Sequence, residues 1–298
     1  MNKLEKQEKQ SIAACLQKYC ERFVSESGAK RGDRGQNKAA NSLKGVSAAT
    51  ISHMLAGSWE LITDEMWQKT AKQIGYTDRD RTVVDTRMLK LYSAILNDAQ
   101  SNGFSFGVIG ATGSGKTCTS RAFREENKNV YLLRCSDYWS RKIFLQELLA
   151  AMGRDSEGAS ISEMMRMINT AIKEQWHPLI ILDEADKLRD GVLCFFITLY
   201  NEFDDGQCGF VLCGAPYLKK RIERGAKRER RGYSETYSRI GRKFIELPGP
   251  NMADIDAICQ ANGITGKQEI KMVAEDCEGD LRRVMRKIHA LKQLSKTS

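Results

Sequence analysis

Gly110-Ala111-Thr112-Gly113-Ser114-Gly115-Lys116-Thr117 is the stretch whose reading decides the fold. It fits the spacing G-x-x-x-x-G-K-[ST] in full, and Cys118 continues it into the next segment. Residues 104–109 before it form an apolar, strand-like run, and the residues after it have helical character. Glycines let the backbone wrap a phosphate without a Cβ collision. Successive N–H groups and the helix N-terminus then face the negative charge. In this arrangement Lys116 reaches the β- and γ-phosphates of ATP and Thr117 is a ligand of Mg²⁺. Gly110 to Cys118 is therefore the candidate nucleotide-binding stretch.

A second element follows in Leu179-Ile180-Ile181-Leu182-Asp183-Glu184. The four apolar residues read as a buried strand, and a carboxylate at its end faces the crevice where ligands of parallel sheets sit. Asp183 is expected to hold the magnesium ion, and Glu184 to orient and deprotonate the attacking water.

Around these motifs, short apolar runs alternate with helical stretches. The runs are 104–109, 130–133, 179–182 and 210–213, with a weaker fifth at 244–247. Such alternation predicts a parallel sheet covered by helices. After Pro248-Gly249-Pro250 the pattern is helical again, over 252–262, 266–277 and 281–294. Ahead of the sheet, residues 12–27 carry Ile12, Leu16, Tyr19, Cys20, Phe23 and Val24 at helical spacing. A glycine-rich loop is expected at 28–35. Further short helices are expected over 36–43, 47–55 with Ser47 as N-cap and Gly57 as stop, and 63–74 between Thr63 and Gly75. The expected division is 1–76 for an all-α domain, 77–88 for a linker, 89–249 for the α/β domain and 250–298 for a helical lid.

Composition narrows the class. The chain has 298 residues, 41% apolar and 29% charged, the balance of a globular protein. No apolar run approaches the roughly 20 residues that cross a bilayer, and residues 1–10 lack the apolar core of a signal peptide. A cytoplasmic, DNA-associated product without a membrane partner is expected. Nine cysteines without a Cys-x-x-Cys pair read as reduced thiols, and three dispersed histidines make no zinc site. Net charge is +9. Between Lys219 and Lys243 eleven cations stand against three anions, a net +8, so nearly the whole excess sits in one segment. Its Gly225, Gly232, Tyr233 and Tyr237 mark part of it as a mobile loop.

The Asp-Glu pair after the strand, followed by a helical C-terminal piece, resembles the AAA+ superfamily from about Leu89 to Leu294. The resemblance implies roles for two arginines. Tyr237-Ser238-Arg239-Ile240 is similar to the segment bearing an arginine finger, which is donated to the γ-phosphate of a neighbouring subunit. Gly279-Asp280-Leu281-Arg282 is similar to the lid motif whose arginine senses that phosphate. The fourth strand departs from the pattern: it ends Cys213-Gly214-Ala215, where the superfamily usually places a polar residue. Slow, partner-stimulated hydrolysis agrees with that gap.

The N-terminal helices resemble the helix-turn-helix domain of phage repressors. Gln36-Asn37-Lys38-Ala39-Ala40 would begin its first helix, and 47–55 would be the recognition helix. Ile51, Met54 and Leu55 would face inward, leaving Ala48, Ala49, Ser52 and His53 toward a groove. Alanine touches only a thymine methyl and serine discriminates poorly. Affinity would then come from phosphate contacts at Lys38, Lys44 and neighbours such as Ser47, with weak sequence preference.

Both domains in this order, with Gly214-Ala215-Pro216, resemble the target-selecting transposition ATPases B of Mu-like elements. That resemblance implies ATP-dependent polymerisation on double-stranded DNA, delivery of target DNA to a transposase, and disassembly on hydrolysis. Tyr138-Trp139-Ser140-Arg141-Lys142 mixes aromatic and basic residues, and related filaments line their inner surface with this region. Trp139, Arg141 and Lys142 are candidate DNA contacts on that basis, and a core position for Trp139 stays open beside it. Two other readings also stay open: an ATP-switched DNA-binding regulator, and a loader of replicative helicases.

Overall fold

The computed structural model describes residues 6–23, 35–76, 84–203 and 206–297. Of the expected loop at 28–35 and linker at 77–88, residues 28–34 and 77–83 lie outside the described residues, as do Val24 and residues 1–5, and α5 already begins within the expected linker. The chain divides into two compact units, residues 1–81 with 153–155, and residues 82–152 with 156–298.

The first unit is helical: α1 (Lys6–Glu21), α2 (Gln36–Ser42), α3 (Ala48–Ala56) and α4 (Asp64–Ile74). Ile12, Leu16 and Cys20 of α1 meet Ile51, Met54, Trp67 and Ala71 in one apolar cluster. Ser47 caps α3 by accepting from the Thr50 N–H at 3.1 Å. Thr63 caps α4 by accepting from the Met66 N–H at 3.3 Å. Gly57 and Gly75 close these helices in the left-handed region, which glycine enters without strain. A short 3₁₀ turn over Trp59–Leu61, which no periodicity announced, brings Trp59 edge-on to Trp67 at 5.7 Å.

The second unit opens with α5 (Arg87–Asn102), begun by Thr86, which accepts from the Leu89 N–H at 3.1 Å. It continues through β1 (Ser105–Ile109), α6 (Lys116–Glu126), β2 (Val130–Arg134), α7 (Arg141–Ala151), α8 (Ile161–Lys173) and β3 (Leu179–Asp183). Next come α9 (Asp190–Leu193), α10 (Phe195–Tyr200), β4 (Gly209–Gly214), α11 (Pro216–Lys227), α12 (Tyr233–Arg239) and β5 (Phe244–Glu246). The strands pair in the order β2-β3-β4-β1-β5, every pair parallel. Both faces are covered, which is why the strands read as continuous apolar runs rather than alternating ones. Tyr92, Leu96 and Phe123 pack on one face. Phe144, Leu148, Ile168, Phe196 and Leu218 pack on the other.

The lid is α13 (Met252–Ala261), α14 (Lys267–Cys277) and α15 (Leu281–Thr297), around Ile255, Cys259, Val273, Val284 and Ile288. Among the described residues, two of the bonds that join it to the rest of the unit can be named. Asp254 Oδ1 accepts from the Arg87 N–H at 2.8 Å, and the Leu281 N–H donates to Gly113 O at 3.0 Å.

Of the basic segment, part of which is expected as a loop, only 228–232 and the residues after α12 are non-helical. Residues 219–243 fall mostly on α11 and α12, joined by a tight turn. Leu218 and Ile222 on the buried side of α11, and Tyr233 and Thr236 on α12, supply an apolar stripe strong enough to order the charged residues between them.

Candidate functional site

β1 ends beside β4, where the strand order reverses, and the carboxyl ends of β1, β3 and β4 border one crevice. The phosphate-loop residues 110–115 leave β1 there and α6 begins at Lys116. Gly113 and Gly115 hold φ of 77° and 104°, left-handed values costly for any residue with a Cβ. At Gly113 an added Cβ would also run into the Asp280 carboxylate of the lid. At Gly113, a position the sequence pattern leaves open, the backbone conformation and the lid carboxylate therefore each require glycine.

Lys116 Nζ donates to Gly110 O and Ala111 O, both at 2.8 Å, and to Ser114 Oγ at 3.4 Å. Its ammonium lies inside the loop that the N–H groups line. Burial pulls its pKa below the usual lysine value, and the nearby Arg282 charge acts in the same direction. Thr117 Oγ1 donates to Asp183 Oδ2 at 2.7 Å, so the first residues of α6 and the end of β3 meet across the crevice. Asp183 is 1% exposed, and burial pushes its carboxyl up despite the Thr117 hydroxyl bond that opposes it. A hydroxyl and a carboxylate side by side are hard oxygen donors of the kind Mg²⁺ takes, so these residues fit that ion.

Glu184 stands next in the chain with φ 58°, a left-handed conformation unusual for a residue with a side chain. Its Oε2 accepts from Lys187 Nζ at 2.7 Å and from Arg134 Nε at 3.2 Å. Burial works to raise its pKa, but the bonds from Lys187 and Arg134 outweigh it and hold the carboxyl below its ordinary value. Sequence reading missed both cations: Arg134 merely ended an apolar run and Lys187 followed an acidic pair. Asp186 was also missed. Its Oδ1 accepts from the Ala215 N–H at 3.0 Å, placing a carboxylate at the end of β4. There Cys213 is fully buried, and burial pushes its thiol up to about 12.

The two further arginines lie in different places. Arg282 is exposed at the start of α15, its backbone N–H donating to Asp280 Oδ1 at 2.7 Å. Arg239 is exposed at the end of α12, 5.0 Å over the Tyr200 ring and donating to Asn201 Oδ1 at 3.3 Å. Neither partner of Arg239 belongs to the phosphate loop.

Among the candidate DNA contacts, Lys38, Lys44, Ser47, Ala49, Ser52 and His53 are all exposed, and Ala48 is half-buried. Trp139 is not on the surface. It is 4% exposed and packs edge-on against Phe144, because the segment before α7 turns its ring into the core under the sheet. Arg141 and Lys142 are exposed. Arg141 donates Nε to Gly191 O at 3.1 Å and lies 5.6 Å over the Phe195 ring. Tyr138 is the aromatic that this segment presents outward, at 64% exposure.

Comparison with known proteins bears on the same region. Residues 100–222 match the family described as an AAA domain. The chain is 23% identical over 238 residues to the ATP-dependent target DNA activator B of Escherichia phage Mu, covering 78% of this chain and 74% of that one. It matches the protein of the same name from Escherichia phage D108 with the same identity and coverage. Among solved structures, that of Drosophila ORC bound to DNA aligns at 15% identity with a TM-score of 0.41, over 67% of this chain and 53% of the other. With its phosphate loop, its parallel sheet and its C-terminal helices, the chain carries an AAA domain over residues 100–222 and is similar over most of its length to the B activators of these two phages.

Proposed function

We propose that this protein is an ATP-dependent DNA-binding factor of DNA transposition. It assembles with copies of itself on double-stranded DNA, with little regard for sequence, and presents that DNA to a transposase. The observation that carries the reading is the likeness to two target DNA activators over 78% of the chain, joined to a crevice where Thr117 meets Asp183 beside the phosphate loop.

In this reading Lys116 leaves the carbonyls of Gly110 and Ala111 and takes the β- and γ-phosphates of ATP. Thr117 and Asp183 hold Mg²⁺, which when bound neutralises charge on the phosphate oxygens. Glu184 orients the attacking water and accepts its proton. It does this only once Arg134 and Lys187 release it, since a carboxylate held by two cations is a poor base. Arg282 approaches the γ-phosphate from the lid. Arg239 faces outward, so the charge it offers is for the site of a neighbouring copy. A finger supplied this way is worth roughly 10³–10⁵ in rate in other phosphoryl-transfer enzymes. Hydrolysis then weakens the contact between copies and lets the assembly come apart.

In the first unit, α2 and α3 act as a helix-turn-helix, with α3 laid toward the groove. Its outward side chains are small, in keeping with the weak sequence preference of a factor that accepts many targets. Lys38 and Lys44 supply phosphate contacts. Arg141, Lys142 and the outer cations of α11 offer a second surface for the DNA backbone.

The decisive measurement is ATPase rate per protomer against protein concentration, with and without double-stranded DNA. A steep rise with concentration, made steeper by DNA, is expected, together with large assemblies under negative stain only when ATP and DNA are both present. A rate per protomer independent of concentration would overturn the shared-site reading.

A further inference from the structure

Away from the nucleotide crevice, one carboxylate gathers more donors than any surface ion pair needs. Asp190 opens α9, and its Oδ1 accepts from Arg221 Nη2 and from the Tyr233 hydroxyl, each at 2.6 Å. Its Oδ2 accepts from Arg230 Nη2, also at 2.6 Å. The bond from Tyr233 and the two guanidinium groups hold the carboxyl below its ordinary value. Tyr233 is 1% exposed, and its ring lies so close on Gly225 of α11 that any Cβ there would collide with it. Arg221 completes the cluster by donating Nε to the Tyr233 oxygen at 3.1 Å.

Two features make this more than a fastening between helices. First, Tyr233 is the first residue of α12 and Arg239 is its last. A helix of this length is a rigid rod of about 10 Å, so whatever fixes Tyr233 aims Arg239. Second, Arg221 donates Nη1 to the Asp186 carbonyl at 3.0 Å, and the Asp186 carboxylate holds the Ala215 N–H at the end of β4. Asp186 lies on the same short turn as Asp183 and Glu184. One guanidinium therefore touches both the acid turn of the protomer's own crevice and the base of the helix that carries its outward arginine.

We propose that Asp190, Arg221 and Tyr233 form a positioning network that sets α12, so that Arg239 is presented to the nucleotide of the adjoining copy in step with the state of the protomer's own acid turn. The proposal rests on Arg239 acting in trans, as above. The three residues touch no substrate; they act through Arg239.

The test uses the full chain with double-stranded DNA and Mg-ATP. Asp190→Asn keeps the size of the side chain and removes its charge; Tyr233→Phe removes one hydroxyl and is the variant to rely on if Asp190→Asn melts early. Each should leave ATP affinity unchanged and lower the concentration-dependent ATPase rate about ten- to a hundredfold, the scale of a misplaced catalytic group. Each variant is then mixed with Glu184→Gln, which hydrolyses ATP too slowly to contribute but has an intact α12. In mixed assemblies the intact Arg239 serves the crevice of the slow variant, and activity should return to roughly a quarter of the parental rate for random head-to-tail neighbours. Arg239→Ala mixed with Glu184→Gln is the control. If that control is not restored, the trans reading itself fails. If it is restored while Asp190→Asn and Tyr233→Phe are not, or if both variants run at the parental rate, the positioning network is refuted.

Discussion

Lys116 lies with its ammonium on three oxygens of its own loop, the carbonyls of Gly110 and Ala111 and the hydroxyl of Ser114. Lys116→Ala removes the one mobile charge that a triphosphate would recruit. ATP affinity should fall by roughly thirtyfold or more, the scale of losing a partner in a buried charged hydrogen bond, and assembly on DNA should be lost with it. Titration calorimetry with Mg-ATP measures both the affinity and its loss. Asp183 and Glu184 titrate in opposite senses. Asp183 is raised in the fold, so it favours the folded state while protonated, and that contribution is lost as pH rises through its folded value. Glu184 is lowered, so its contribution is present above its unfolded value and lost as pH falls through its folded value. Near neutral pH Asp183 therefore works against the ligand-free fold. Asp183→Asn should melt no lower than the parent at about pH 7, with any advantage vanishing toward about pH 4. The same variant should gain no thermal shift from Mg-ATP, whereas the parent gains one. A ligand-free midpoint well below the parent's at neutral pH would contradict this account.

At the level of elements, the strands and the phosphate loop were legible because their signals are local. A buried parallel strand is a short apolar run, and a phosphate loop is a fixed spacing. The helix caps at Ser47 and Thr63 were legible for the same reason, one oxygen three residues ahead of a free N–H. What could not be read was set by partners distant in the chain. For Trp139 the sequence leaves a DNA-facing and a core position both open, and the packing of its ring against Phe144 decides for the core. Part of the segment 219–243 looks like a loop by its charge and glycines, and all but a short turn before α12 and its last residues is helix. It is helical because Asp190, in a different element, neutralises Arg221 and Arg230, and because Gly225 makes room for the Tyr233 ring rather than breaking a helix. The pairing of Glu184 with Arg134 depends on the register of β2 against β3, which aligns Arg134 with Asp183. Two outcomes belong at this scale. Ser47→Ala should cost the first unit about 1 kcal/mol, the usual loss for a capping hydroxyl, read by chemical denaturation. Lys38→Ala and Lys44→Ala should weaken DNA binding alike on all sequences, each lowering the salt slope by about one. An effect confined to one sequence would instead mark base-edge readout.

For the whole molecule, binding, assembly and hydrolysis are expected to be separable. Glu184→Gln removes the proton acceptor but leaves the loop, Asp183 and Arg239 in place. It should bind ATP with parental affinity, hydrolyse on the order of 10²–10⁴ more slowly, and build assemblies on DNA that persist under negative stain after the parent's have gone. Parental turnover in this variant would remove Glu184 from the role of base. Joining these scales is the lid's Asp280, whose carboxylate leans on Gly113. That anion occupies ground that incoming phosphates must approach, and like charges cannot share it without a shift. The same segment is bonded to the loop through Leu281. On the proposed reading a nucleotide in the loop therefore meets a resident acid at its threshold, carried by the same segment that Leu281 ties to Gly113.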